Sequence, residues 1–410
     1  MKRVLIILGI TVCSITANAR SLHVGSNQLY KTITAAIMVA AGGDTILVDA
    51  GIYHEKNLEV NKTIVLTGIN YPVLDGEKKY EIVSIRANGV VLNGFKIIHS
   101  GVSSMDDIAG VKIYNRRDVV IENNLLDDTF FGIYVQQGTN CTIRNNKIIA
   151  YNTEEQQSGN GIHCWKSDSM RIIGNTVTGH RDGIYFEFVT NSIIWRNTSI
   201  RNIRYGLHFM FSQNDTYVTN IFQNNGAGVS VMYSHGIKMF NNYFTENWGD
   251  GAYGLLLKEI TDSYIDGNHF QKNTTGIHME GASRIQMQKN VFENNGWAMQ
   301  IQASCMDIAV IKNNFIGNTF DVGTNGSLVL NTFNNNYWDK YEGYDLNKDK
   351  IGDIAYRPVS LYSMIVEKNP PAMILFRSFI TSLMDNTEKI VPGITPQNLV
   401  DEHPMMKQLF

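Results

Sequence analysis

A glycine followed by alternating residues returns along the middle of this chain, and no other property limits its fold so sharply. The motif reads Gly132-Ile-Tyr-Val, Gly161-Ile-His-Cys-Trp, Gly183-Ile-Tyr-Phe-Glu-Phe and Gly206-Leu-His-Phe-Met-Phe. It continues as Gly228-Val-Ser-Val-Met-Tyr, Gly254-Leu-Leu-Leu-Lys and Gly276-Ile-His-Met-Glu. Asparagines keep the same phase at 124, 146, 175, 197, 220, 242, 268, 290, 314 and 336, with intervals of 22, 29, 22, 23, 22, 26, 22, 24 and 22. The longer intervals mark coils that carry loop insertions. A period near 22 is one coil of a solenoid whose apolar face is buried only by stacking on its neighbours. Leucine-rich repeats share the period but need spaced leucines, which are absent. The expected fold class is therefore all-β, a right-handed parallel β-helix. Asparagine suits one fixed turn of each coil, since it tolerates a left-handed backbone and its amide can bond the asparagine one coil away.

The ends of the chain differ from the middle. Tyr30 to Ala41 reads as a short helix and Asp44 to Glu55 as strand, turn and strand, a cap that shields the open N-terminal end from edge pairing. Residues 20–356 are taken as the solenoid domain. Residues 357–410 are taken as a helical, amphipathic docking tail with a helix from Pro371 to Asn386. Packing on the outside of the solenoid and docking on a membrane partner are both open to this apolar segment.

Lys2 and Arg3, the apolar run Val4 to Ile15 and Ala17-Asn18-Ala19 form the pattern of a signal peptide spanning 1–19 and cut before Arg20. The run is too short to span a bilayer, and no later segment is long and apolar enough to do so. Val12 sits where a lipoprotein signal ending at Cys13 needs a small residue. The protein is thus expected outside the cytoplasm, without a transmembrane segment of its own. Cys141, Cys164 and Cys305 then remain, odd in number and widely spaced, so they imply no disulfide framework and read as small buried hydrophobes. With 35 basic and 38 acidic residues and no basic block, nucleic acid is not an expected partner.

Alternation assigns the faces of each strand. Ile184, Phe186, Phe188, Leu207, Phe209 and Phe211 are expected to point inward. Tyr134, Gln136, His163, Trp165, Tyr185, Glu187, His208, Met210, Ser230, Met232, Leu256, Lys258, His278 and Glu280 then point outward as a vertical stripe. Ordinary sheet surface also favours aromatic residues. A stacked patch of them is a binding face, with His163, Trp165, Tyr185, Glu187, Lys258, His278 and Glu280 as its surface. His208, Met210 and Met232 lie on neighbouring coils, and imidazole with thioethers suits Cu(I).

Two further groups are candidate ligands. Asp345, Asn347, Asp349, Ile351 and Asp353 repeat the alternate-position spacing of a calcium loop, with Gly352 allowing the turn and no terminal bidentate Glu. A solvated acidic turn has the same composition. A calcium ion here would lock the last coil. His403, Met405 and Met406 near the C-terminus form a second soft-metal set.

Many β-helices cut or epimerise acidic polysaccharides, which makes a lyase or epimerase the rival reading. The stripe offers His163, Glu187, His208, Lys258 and His278, yet it has no dense cluster of Asp with Arg or Lys. Fold alone does not settle function.

Gly159-Asn-Gly-Ile-His163-Cys-Trp165, Arg181-Asp-Gly-Ile-Tyr-Phe-Glu187-Phe, Arg204-Tyr-Gly-Leu-His208-Phe-Met210-Phe-Ser212 and Gly226-Ala-Gly-Val-Ser-Val-Met232-Tyr-Ser resemble the NosD family. So do Gly251-Ala-Tyr-Gly-Leu-Leu-Leu-Lys258 and Asn336-Tyr-Trp338-Asp-Lys-Tyr341. The likeness runs from about Asp44 to the C-terminus. It implies a periplasmic, non-enzymatic accessory protein for the copper centre of nitrous-oxide reductase. It further implies an ABC transporter whose membrane subunits meet the C-terminal part, a copper chaperone and the reductase as partners, and transient Cu(I). Cys164 and Ser230 depart from the pattern and bear on the local ligand set.

Overall fold

The computed structural model describes residues 19–103, 105–151, 153–326, 330–391 and 399–410. Nearly all of the expected signal peptide therefore lies outside the described residues. Short parallel strands form three long sheets of 14, 12 and 13 strands among these residues, each coil adding one strand to each sheet. The chain is an all-β parallel solenoid with short helices at its two ends.

Each coil turns because its corner residues adopt the left-handed backbone region. Asn123, Asn145, Arg196, Thr219, Asn241 and Lys289 all have φ near +53° and stand immediately before a ladder asparagine. That asparagine is buried, and its side-chain amide donates to the side-chain oxygen of its counterpart one coil on, at 2.9 to 3.1 Å, from Asn124 to Asn336. The remaining amide hydrogens go to backbone carbonyls, as from Asn146 to Ile121 and from Asn220 to Ile194. Every donor of a buried amide is thereby satisfied, which stops burial from being a penalty. One member differs from expectation: Asn313, not Asn314, holds the ladder position. The last two intervals are therefore 23 and 23.

A second asparagine ladder runs five residues further on, through Asn202, Asn225, Asn247, Asn273, Asn295 and Asn318. Between the ladders the core is a file of stacked rings: Phe222, Phe244, Phe270, Phe292, Phe315 and Trp338, with centroids 4.0 to 5.5 Å apart. The repeated strand glycine has a spatial cause. A Cβ at Gly206 would lie 2.7 Å from the Gly228 carbonyl oxygen, and one at Gly254 would lie 2.7 Å from that of Gly276. Cys141, Cys164 and Cys305 are free and buried.

The N-terminal cap helix, α1 (Ile33–Val39), is held by side chains from later coils. Glu55 accepts from the amides of Ile33 and Thr34, and the Lys62 ammonium donates to the carbonyls of Ile37, Met38 and Ala40. These supply the partners that a two-turn helix lacks at its ends.

At the other end, α2 (Leu361–Lys368) seats Tyr362 and Val366 against Trp297 and Phe320. The helix expected from Pro371 to Asn386 is broken. Pro370–Leu375 is a 3-10 turn, Arg377 is left-handed at φ +60°, and Ser378 caps a new helix, α3 (Phe379–Ile390). The chain then returns to the solenoid: Asp401 and Met405 bridge in parallel to Phe333 and Tyr337 of the last coil.

Candidate functional site

The outward residues of the 12-stranded sheet stand in two files. Lys112, Tyr134, His163, Tyr185, His208, Ser230, Leu256, His278 and Gln300 are in register coil by coil. Beside them run Tyr114, Gln136, Trp165, Glu187, Met210, Met232, Lys258 and Glu280. The structure thus brings His208, Met210 and Met232 onto two adjacent coils, with Met210 directly beside Met232.

The first file is less open than an outward stripe suggests. His163 and His208 are only 7% and 6% exposed. The His163 ring lies tilted between those of Tyr134 and Tyr185, and the His208 ring stacks on Tyr185, with centroids 4.6 to 4.7 Å apart. Burial holds the His163 imidazole at a pKa of about 3, which leaves it neutral. The Nε2 atoms of His163 and His208 are both buried without a hydrogen-bond partner.

Asp182, absent from the sequence-based list, completes the centre of this face. It sits one coil before Arg204, whose Nε and Nη2 donate to its two oxygens at 2.9 and 2.7 Å. His208 Nδ1 approaches the same carboxylate at 3.4 Å. Burial alone would raise this carboxyl; hydrogen bonds from His208 and Arg204 outweigh it and hold the group at about 2. The Arg181-Asp182 pair before Gly183 was visible in the sequence, but only the stacking of coils shows what Asp182 touches.

In the second file Met210 Sδ accepts from the Tyr185 hydroxyl at 3.6 Å. Trp165 and Glu187 are half-buried, and Lys166 lies 4.5 Å from the Trp165 ring. Lys258 and Glu280 pair with each other at 3.3 Å. His278 contacts the Gln300 amide oxygen at 3.2 Å, and Gln300 in turn donates to Glu367 of α2 at 2.9 Å. The stripe therefore reaches the C-terminal helices through one hydrogen-bonded link.

Phe188 and Phe211 overturn the inward assignment. Both have φ near +54°, which ends the alternation and swings the ring outside the corner, where Phe188, Phe211 and Tyr233 stack at 5.1 Å spacing. All three are exposed.

The other candidates lie elsewhere. His403 bonds Asn334 through Nδ1 at 3.0 Å, and the Met405 amide donates to the Asn336 carbonyl. They belong to the closing strand, at least five coils from Met232, or more than ~20 Å at the usual ~4.8 Å between strands. In the acidic loop, Asp345, Asn347, Asp349 and Asp353 accept from backbone amides of the loop itself. Its left-handed residues are Lys348 and Lys350. Gly352 is not left-handed; it makes room for the Tyr341 ring. Among the described residues, no group of three or more His, Cys, Asp or Glu is placed to hold a metal, and no helix is long and apolar enough to cross a membrane.

Comparison with known proteins agrees with this architecture. Residues 146–343 match the family model described as periplasmic copper-binding protein (NosD). The chain is 28% identical over 306 residues to a probable ABC transporter binding protein NosD of Stutzerimonas stutzeri, covering 70% of this chain and 69% of that one. It is 25% identical over 353 residues to the protein of the same name from Pseudomonas aeruginosa, covering 82% of each. Among solved structures, the surface adhesin PfbA of Streptococcus pneumoniae superposes with a TM-score of 0.57 at 13% identity, over 71% of this chain and 86% of that one. That likeness speaks to the solenoid alone. Motif, solenoid and relatives agree in one respect: the chain is similar to NosD proteins over most of its length.

Proposed function

We propose that this protein is a non-enzymatic periplasmic accessory factor that receives and passes on Cu(I) during assembly of the copper centre of nitrous-oxide reductase. One observation carries the reading. His208 presents a buried, unpartnered Nε2 on a coil that also carries Met210, with Met232 next to it in register. Imidazole nitrogen and thioether sulfur are the donors that select Cu(I) over hard cations. Copper is cargo here, and two or three weak donors on a sheet face suit release better than a closed cage does.

The C-terminal helices are the proposed docking element for the membrane subunits of an ABC transporter. Ile374, Phe379, Ile380, Leu383 and Ile390 are exposed along them, while Tyr362 and Val366 anchor the module to the solenoid. Trp165, Glu187, Lys258, His278 and Glu280, which are partly exposed, would meet the copper chaperone or the reductase, with His163 and Tyr185 buried beneath that surface. His403, Met405 and Met406 form a separate, weaker copper candidate. Calcium at Asp345, Asn347, Asp349, the Ile351 carbonyl and Asp353 would clamp the loop before the closing strand.

Deleting the protein should yield a reductase that is made and exported normally but lacks its catalytic copper cluster. A fully active, copper-replete reductase would end the assembly reading and return attention to acidic polysaccharides. Alanine at His208, Met210 and Met232 together should weaken Cu(I) binding; an unchanged affinity removes the site.

A further inference from the structure

The two buried histidines of the stripe are held by opposite kinds of neighbour. His208 Nδ1 faces the Asp182 carboxylate at 3.4 Å, and an ionised carboxylate only accepts. A neutral imidazole there must carry its proton on Nδ1, which leaves a lone pair on Nε2. His163 Nδ1 faces the Asn160 amide nitrogen at 3.3 Å, a donor, which places the His163 proton on Nε2. Neither ring is free to turn over: His208 lies between Tyr185 at 4.6 Å and Tyr205 at 4.9 Å. The carboxylate is fixed as well, since Arg204 grips both of its oxygens and its side chain is fully buried.

We propose that Asp182, clamped by Arg204, is a positioning residue that locks His208 in the Nδ1–H tautomer and so keeps its Nε2 lone pair available to a soft cation. His163, in the opposite tautomer, presents an N–H and is not a ligand through Nε2. The assignment rests on the reading of His208 as a copper donor, which it deepens by naming what makes one stripe histidine a ligand and the other a contact residue. Carboxylates that orient a metal-binding imidazole through its second nitrogen usually change affinity 10- to 100-fold when removed.

The test begins with the unsubstituted full chain, labelled with 15N-histidine and free of metal. Long-range 1H–15N spectra, assigned through His208→Ala and His163→Ala, should show His208 as Nδ1–H and His163 as Nε2–H. In Asp182→Leu no acceptor faces Nδ1, so His208 should no longer be held as Nδ1–H and should show Nε2–H as well. Cu(I) affinity, read by competition with a chromogenic chelator, should then fall about 10- to 100-fold toward the His208→Ala value. Thermal melts report whether the variant folds, and the unsubstituted spectrum scores the proposal even if it does not. His208 found as Nε2–H in the unsubstituted protein overturns the proposal. So does a folded Asp182→Leu protein with tautomer and affinity unchanged while His208→Ala loses copper. If His208→Ala binds Cu(I) as tightly as the unsubstituted chain, the copper reading of His208 is overturned, and the spectra separate that failure from one of Asp182.

Discussion

The Asp401 carboxylate stands one coil beyond Asn336, in the place an asparagine holds in every earlier coil of the ladder. It accepts the Asn336 amide and side-chain Nδ2, both at 3.0 Å, and also the Trp338 indole and the amides of Asn335 and His403. A ladder of donors that would otherwise end in unpaired N–H groups is closed by an acceptor with no donor of its own.

Asp401→Ala should therefore expose or orphan five donors at once. Buried groups left unpaired cost about 1–3 kcal/mol each, less whatever water recovers. The expected result is a clear fall in melting temperature, with early exchange of the amides of the last coil. Asp401→Asn, which keeps one acceptor, should fall in between. Equal melting of all three proteins would show that the Asp401 carboxylate contributes nothing to stability.

Asp215 sits at an inward corner, between coils whose equivalent residues are Ser192 and Ile237, and one of its oxygens has no partner. Burial raises its pKa to about 8. An acid with a raised native pKa contributes fully below its unfolded pKa near 3.8, and that contribution is lost as pH rises through 8. Asp215→Ser restores the corner residue of the preceding coil, whose hydroxyl donates to the carbonyl two residues back. It should raise the melting temperature at pH 7 to 8 and have little effect near pH 4. A gain that does not grow with pH would contradict this.

His163 and His180 act in the opposite sense. Burial lowers them to about 3 and about 4. A depressed histidine contributes fully above its unfolded pKa near 6.5, and that contribution is lost as pH falls toward the native value. Melting should therefore drop steeply below pH 6, and His163→Gln should flatten part of that slope. An unchanged slope in the variant would assign the acid limb to other groups.

Phe379 and Leu383 lie on the exposed side of α3. Replacing both with Asp should change the unfolding free energy by no more than about 1 kcal/mol, as is usual for exposed positions. The same variant should no longer co-purify with the ABC transporter proposed as its partner. Retained co-purification would place the docking surface elsewhere.

Much of the solenoid was legible because a period near 22 leaves few alternatives. Where the reading failed, the causes are local. Asn313 and Asn314 are adjacent and chemically identical, so phase alone could not choose between them. Phe188 and Phe211 look like core residues by alternation, and only the left-handed backbone at the corner reverses them. The second ladder was present in the sequence as an asparagine five residues after each first-ladder member from Asn197 to Asn313, a spacing that was passed over. The two files of the stripe follow from period-two geometry, whereas Asp182 gained its role only when Arg204 and His208 were brought against it from the next coil. The break at Arg377 had no proline or glycine to announce it.

The closing carboxylate also orders events in time. Asp401 follows Asn336 by 65 residues, with both C-terminal helices in between. A chain threaded through a secretion channel from its N-terminus delivers every coil before it delivers the plug. Until those last residues emerge, the newest coil is a bare strand edge, open to pairing with any other chain. For a chain delivered N-terminus first, sealing the solenoid is thus the last step, and the helical module has emerged before it happens.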